Sequence, residues 1–315
     1  MIGLFVLLVS LSSAIGSSAS FGVCLTTIPP RFSTVHHVVS SWLSQEIPPA
    51  TIAIFVPRKY KNFISESPRD KSRNIAALTN ELKKHFPADI DSRRIIVQAM
   101  DQDWGPITKY AGLLQHFQEL DPSGDIDYWV IGDDDVRYLD TTLSDYWRRI
   151  QDGAPPVPVL THFKIESRVN VNITGVFTPV QHIQGVDTVL LPRHLLLQQA
   201  KSNGVLSHDI FTTGVEEFHK VCPDSFYQDD YIMSFLVAIS GASVESVWTG
   251  GKVAHHVTGV SKSNQQMHIH PNVFKREETA KACTIVHGSR VKTFLDTIRN
   301  ASKEGTLSGT RASEL

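Results

Sequence analysis

Several of the short motifs that mark large enzyme classes are missing from this chain. It has no GxSxG, no Walker loop, no GxGxxG after its first strand and no HExxH. Those absences weigh against a serine hydrolase, an NTPase, a dinucleotide oxidoreductase and a zincin. Cysteine is scarce: there are three, none in the CxxC spacing of a zinc site. Strong charge of either sign is also lacking. A net charge of -2 with scattered basic residues leaves no bulk field for nucleic acid or acidic membranes. No internal repeat and no low-complexity linker divides the chain. At 41% hydrophobic and 20% charged over 315 residues, it reads as ordinary globular protein, one large domain or two intimate ones.

Residues 2–15 are apolar, relieved only by Gly and Ser, and run into Gly16-Ser17-Ser18-Ala19-Ser20. That pattern predicts a signal peptide over residues 1–19, with an uncleaved signal anchor as the alternative. The run falls short of the about 20 apolar residues that a span needs, and it has no basic flank. Either form places the remainder in the lumen of the secretory pathway (Golgi or endoplasmic reticulum) or outside the cell. Association with a membrane is expected only if the segment stays attached. Cys24 reads as a core thiol, and Cys222 and Cys283 are free to pair. The sequons at Asn172 and Asn300 agree with secretion but are short enough to arise by chance.

From residue 20 onward the first half alternates strands and helices. Phe21 to Thr26 is a strand closed by Thr27-Ile28-Pro29-Pro30-Arg31, since two prolines can neither extend a ladder nor start a helix in place. Val35, Val38, Val39 and Trp42 follow at helical spacing, with Ser33 as a candidate cap, and Thr51 to Val56 is the next strand. Strand, helix, strand within about 35 residues predicts a parallel pair. A helix over 74–86, a strand over 94–98 and a helix through Leu113, Leu114 and Phe117 come next. Tyr128-Trp129-Val130-Ile131 is the fourth strand, and it stops in Gly132-Asp133-Asp134-Asp135. The second half is more broken: a proline-edged strand near 155–160, a hairpin within 169–179, a strand over 186–191, and a helix through Ile232, Phe235, Leu236 and Ile239. The last 15 residues, 301–315, read as a disordered tail.

Four polar clusters sit at ends of these elements. Three consecutive carboxylates after a buried strand lie where ligands collect in open α/β sheets. In extended chain Asp133 and Asp135 face one way and Asp134 the other, with no basic neighbour before Arg137. Such a pair suits Mg²⁺ or Mn²⁺; the alternative is a solvated acidic turn. Asp229-Asp230 precedes a helix and reads either as a cap or as a cap plus a general base. His255-His256 lies on a strand, where one imidazole can join a metal site or simply be satisfied by backbone. Lys109, at a helix start, is a phosphate contact or a plain surface lysine.

The order of these pieces resembles a GT-A-type glycosyltransferase, and the resemblance spans residues 21 to about 260. Asp133-Asp134-Asp135 resembles the DxD motif. Gly105-Pro106-Ile107-Thr108-Lys109 resembles the Gly-Pro-x-Thr-Lys segment of family-2-like transferases. Gln228-Asp229-Asp230-Tyr231 with the helix behind it resembles the Asp-Asp helix of those enzymes and of exostosin-like transferases.

The resemblance implies an α/β fold: a GT-A-like three-layer sandwich with a mainly parallel central sheet and helices on both faces. It implies one catalytic domain over 20–300, with a nucleotide-sugar half (20–150) and an acceptor half (151–300). The implied activity is metal-dependent transfer of a hexosyl or N-acetylhexosaminyl group from a nucleotide sugar, a UDP-sugar being favoured, to a glycan or glycoprotein. On this chain Asp133, Asp135 and His256 would hold Mn²⁺ or Mg²⁺. Asp133, Asp134, Lys109, Thr108, Thr27, Arg31 and Asp187 would bind substrate, and Asp230 or Asp229 would be catalytic.

Two departures stand out. No acidic residue follows the second strand, Phe55-Val56-Pro57-Arg58-Lys59, and no cysteine directly precedes the aspartate pair. A non-catalytic carbohydrate-binding protein on the same fold is the alternative, although a degenerate copy is expected to lose some of Asp133, Asp135 and Asp230. A metal-dependent phosphohydrolase would need a second metal cluster, which only His268 and His270 could help build.

Overall fold

The structure, a computed structural model, describes residues 19–60, 73–153, 156–162, 168–172, 177–181, 188–223, 229–247, 254–256, 282–283, 287 and 289–300. Residues 1–18 of the expected signal peptide (1–19), the expected tail (301–315) and the stretch holding His268 and His270 lie outside those residues. Among the described residues no helix is long and apolar enough to cross a membrane.

The first half follows the predicted alternation: β1 (Phe21–Thr26), α1 (Val35–Leu43), β2 (Thr51–Pro57), α2 (Arg73–His85), a short α3 (Pro87–Asp91), β3 (Ile95–Met100), α4 (Thr108–Leu120) and β4 (Tyr128–Ile131). After the acidic triplet come β5 (Val136–Tyr138), α5 (Thr142–Asp152), β6 (Val159–Thr161), the hairpin β7 (Arg168–Asn172) and β8 (Phe177–Gln181), and β9 (Val189–Pro192). The chain continues through α6 (Arg193–Lys201), α7 (His208–Val221), α8 (Asp229–Ser240), β10 (Val244–Ser246) and β11 (Ala254–His256). The helix α7 has no counterpart in the sequence reading above, though Ile210, Phe211, Val215 and Phe218 are all buried along it.

Seven strands form one sheet in the order β10-β6-β9-β4-β1-β2-β3, and only β9 runs antiparallel to its neighbours. The α/β class and the mainly parallel sheet are therefore as expected. Side-chain alternation along the strands builds two cores, one on each face. Phe21, Val23, Leu25, Ile52, Ile54 and Val56 face α1 and α2, with Trp42 and Leu82 in the same cluster. Cys24, Ala53, Phe55, Trp129 and Ile131 face α4, α7 and α8. Cys222 and Cys283 are disulfide-bonded, and Cys24 is the buried free thiol.

Helix α4 reaches the sheet through Gly112. A Cβ placed there would lie 2.3 Å from Phe55 Cγ, deep in the core. Gly112→Ala is therefore expected to destabilise the fold by about 2 kcal/mol through overpacking, read as a lowered melting temperature. A variant as stable as the parent would show that α4 can lift without cost.

Candidate functional site

Strand β1 has β2 on one side and β4 on the other, so the chain leaves the sheet centre in opposite directions from these two neighbours. In open α/β sheets, the crevice outside the carboxyl ends at such a switch point is where ligands bind. Two segments emerge there, the loop after β1 and the triplet after β4.

The loop after β1 is a proline-built turn. Pro29–Arg31 form one turn of 3₁₀ helix, in which the Arg31 N–H donates to the Ile28 carbonyl at 2.8 Å. Thr34, rather than Ser33, stands at the start of α1, and both its N–H and its hydroxyl donate to the Arg31 carbonyl. The Arg31 backbone is thus tied down on both sides, and its side chain is buried against the triplet. Arg31 Nη1 donates to Asp134 Oδ1, and Nη2 lies 3.0 Å from Asp135 Oδ2. Burial works against the guanidinium charge, but Asp134 and Asp135 outweigh it and raise the Arg31 pKa.

A second cation enters from α4. Asp103 accepts the Gly105 N–H at 2.9 Å, Gly105 takes a φ of +71°, and Thr108 Oγ1 accepts the Trp104 N–H at 3.1 Å. This turn sends Lys109 into the interior, only 2% exposed, where its Nζ pairs with Asp133 Oδ1 at 2.5 Å. The Asp133 N–H donates to Tyr138 Oη at 2.7 Å. Tyr138 stacks on Trp42 of α1, and its own N–H donates to Ser41 Oγ. Burial above all, helped by Asp133, holds the Tyr138 hydroxyl well above its ordinary pKa, so it stays protonated.

These contacts correct the sequence reading in two ways. The triplet does not follow strand alternation: Asp134 and Asp135 share Arg31, while Asp133 turns to Lys109. The ladder stops at Ile131, and residues 132–135 form a bend, so the period of two no longer applies. Nor is the triplet without basic company. Arg137 is exposed, and the neutralising cations come from positions 31 and 109. Among the described residues three carboxylates stand against two cations, which leaves one negative charge at the strand end.

The other candidates are placed as follows. Thr27 is buried at the same edge, and its Oγ1 has no hydrogen-bond partner among the described residues. Thr108 is fully buried with its hydroxyl engaged by Trp104, and so faces its own turn. Strand β11 pairs antiparallel with β5 and sets His256 opposite Val136, the residue after Asp135. Asp229 and Asp230 open α8, which packs on the turn at Gly105–Ile107. Asp187 lies outside the described residues. The sequence reading missed Tyr138 as a support; the signal was its spacing, five residues after Asp133 on a strand that returns beneath it.

Among the described residues no three His, Cys, Asp or Glu side chains already converge as a metal site. The donor set nonetheless fits a hard divalent cation. It consists of carboxylate oxygens, Asp133 is partly exposed, and Asp134 Oδ2 is buried without a hydrogen-bond partner among the described residues.

No protein-family model matches the chain, and no curated protein matches it in sequence. Among solved structures it is similar to a cytidylyltransferase from Leptospira borgpetersenii serovar Hardjo-bovis, with 11% identity, 64% of this chain and 74% of that one covered, and a TM-score of 0.37. It is also similar to a fragment of S. aureus TarS in complex with UDP, with 12% identity, coverage of 62% and 54%, and a TM-score of 0.34. A further structure of S. aureus TarS aligns at 11% identity over 82% of this chain and 42% of that one, with a TM-score of 0.37. The chain spans about half the length of the TarS fragment.

Proposed function

We propose that this chain is a metal-dependent glycosyltransferase of the secretory pathway, moving a sugar from a nucleotide-sugar donor to a glycan or glycoprotein. The observation that carries the reading is the meeting of Asp133-Asp134-Asp135 with Arg31 and Lys109 at the carboxyl edge between β1 and β4. A nucleoside diphosphate is the leaving group of such a reaction, and a carboxylate anchor with positive charge held in place beside it suits that need.

Asp133 and Asp135, with His256 from β11, would hold Mn²⁺ or Mg²⁺, which when bound neutralises charge developing on the diphosphate. Arg31 and Lys109 keep the carboxylates in place and add positive potential beside the phosphates. Asp134, through its unbonded Oδ2, is suited to accept a hydroxyl of the donor. Thr27 offers a hydroxyl at the same edge. Asp230, or Asp229 beside it, takes the proton of the acceptor hydroxyl in an inverting reaction.

The full chain is to be incubated with a panel of nucleotide sugars and glycan acceptors, with and without Mn²⁺, while nucleoside diphosphate release is followed. Release is expected from one donor class and only with metal. Equal release in excess chelator would sink the metal assignment, and no release from any donor would favour the carbohydrate-binding alternative.

A further inference from the structure

On the far side of β9 from the triplet, three side chains form a buried polar chain that none of the roles above uses. Ile131 of β4 and Thr161 of β6 both register with Val189 of β9. Thr188 and His162, one residue beyond these pairs, therefore sit at the same sheet edge as the triplet, one and two strand spacings (about 5 and 10 Å) across from β4. Tyr146 Oη lies 3.1 Å from the Thr188 carbonyl oxygen and 2.8 Å from Thr188 Oγ1. His162 Nδ1 lies 3.0 Å from the same Oγ1.

The hydrogens in this chain can be assigned by counting donors. The Thr188 carbonyl only accepts, so it takes the Tyr146 hydroxyl hydrogen. In the arrangement that also uses the Thr188 carbonyl, the Thr188 hydroxyl donates to Tyr146 Oη and accepts from His162 Nδ1–H. That arrangement assigns His162 the tautomer whose Nε2 bears a lone pair. That Nε2 is buried and has no partner among the described residues, in a side chain 1% exposed. A buried acceptor left unpaired is costly, and it is tolerated where a ligand supplies the missing donor. Burial also holds the imidazole pKa down to about 3, so the ring is neutral at any working pH. Thr188, a β-branched residue at φ +96°, is strained to reach this position, with Tyr146 and His162 holding it there.

We propose that His162 Nε2 accepts a hydrogen bond from a hydroxyl of the donor's sugar, which makes His162 a specificity-determining residue. This rests on the transferase reading above. A neutral lone pair selects an O–H donor and gains nothing from phosphate, which only accepts. Its place lies beyond the diphosphate anchor, on the side away from β1.

The test compares binding of nucleotide sugars with binding of the matching nucleoside diphosphates, by calorimetry with Mn²⁺ on the full chain. His162→Asn keeps a donor for Thr188 but has no atom at the Nε2 position. It is expected to weaken nucleotide-sugar binding about tenfold and leave diphosphate binding unchanged. His162→Gln, which returns an acceptor near that position, is expected to recover most of the loss. An unchanged difference between the two ligand types in His162→Asn overturns the inference alone. A parent protein that binds no nucleoside diphosphate overturns the transferase reading and this inference with it. If His162→Asn does not fold, NMR of isotope-labelled histidine in the parent decides the matter. The Nε2 resonance must be that of an unprotonated nitrogen and must move with a nucleotide sugar but not with its diphosphate; any other result refutes the assignment.

Discussion

Asp135→Asn is expected to lower donor turnover by about 10³-fold or more, equivalent to roughly 4 kcal/mol, and to abolish metal-dependent nucleotide binding. The substitution keeps the size of the side chain and removes one of the two charges proposed to hold the metal. It spares the fold, because Arg31 retains Asp134 as its hydrogen-bonded partner at the same edge. Loss of turnover with an unchanged melting temperature is thus the anticipated pair of results. Nucleotide binding measured with and without Mn²⁺ is the decisive readout. If the variant still binds nucleotide as tightly as the parent when metal is present, the triplet is not the diphosphate anchor.

Arg31→Met is expected to have the largest effect on stability, a loss of about 3–5 kcal/mol, because it strands buried carboxylates without their cation. The Arg31 side chain is 5% exposed and that of Asp134 7%, so solvent screens the pair little. Denaturant unfolding of variant and parent measures the loss. Adding Asp134→Asn to Arg31→Met should restore part of the lost stability. A single variant losing under about 1 kcal/mol would mean that the ion pairs are replaced by water at little cost.

Much of the framework was legible in the chain because it is written in local periods. Strands β1, β2 and β4 are unbroken apolar runs, as buried parallel strands must be, and α1, α4 and α8 carry apolar residues at helical spacing. The double proline after β1 announced a turn. The pairing of Cys222 with Cys283 was one open arrangement of three cysteines, and the disulfide adopts it. The helix α7 escaped notice because its apolar residues are interleaved with threonine and glycine at 212–214, which blur the period.

What the sequence determined by itself, then, is the α/β alternation, the place of the triplet at the end of a buried strand, and the stock of carboxylates, imidazoles and cations nearby. Only the tertiary structure decided which of these meet. Arg31 is 103 residues from Asp134, and Lys109 is 24 from Asp133. Parallel pairing of β1 with β4, and the entry of α4 beneath them, turn those separations into ion pairs. Charge pairing across a sheet edge depends on which strands are neighbours, and no local period records that. The same holds for His162, Thr188 and Tyr146: each is unremarkable in the chain, and they become a polar network only because β9 runs back between β4 and β6.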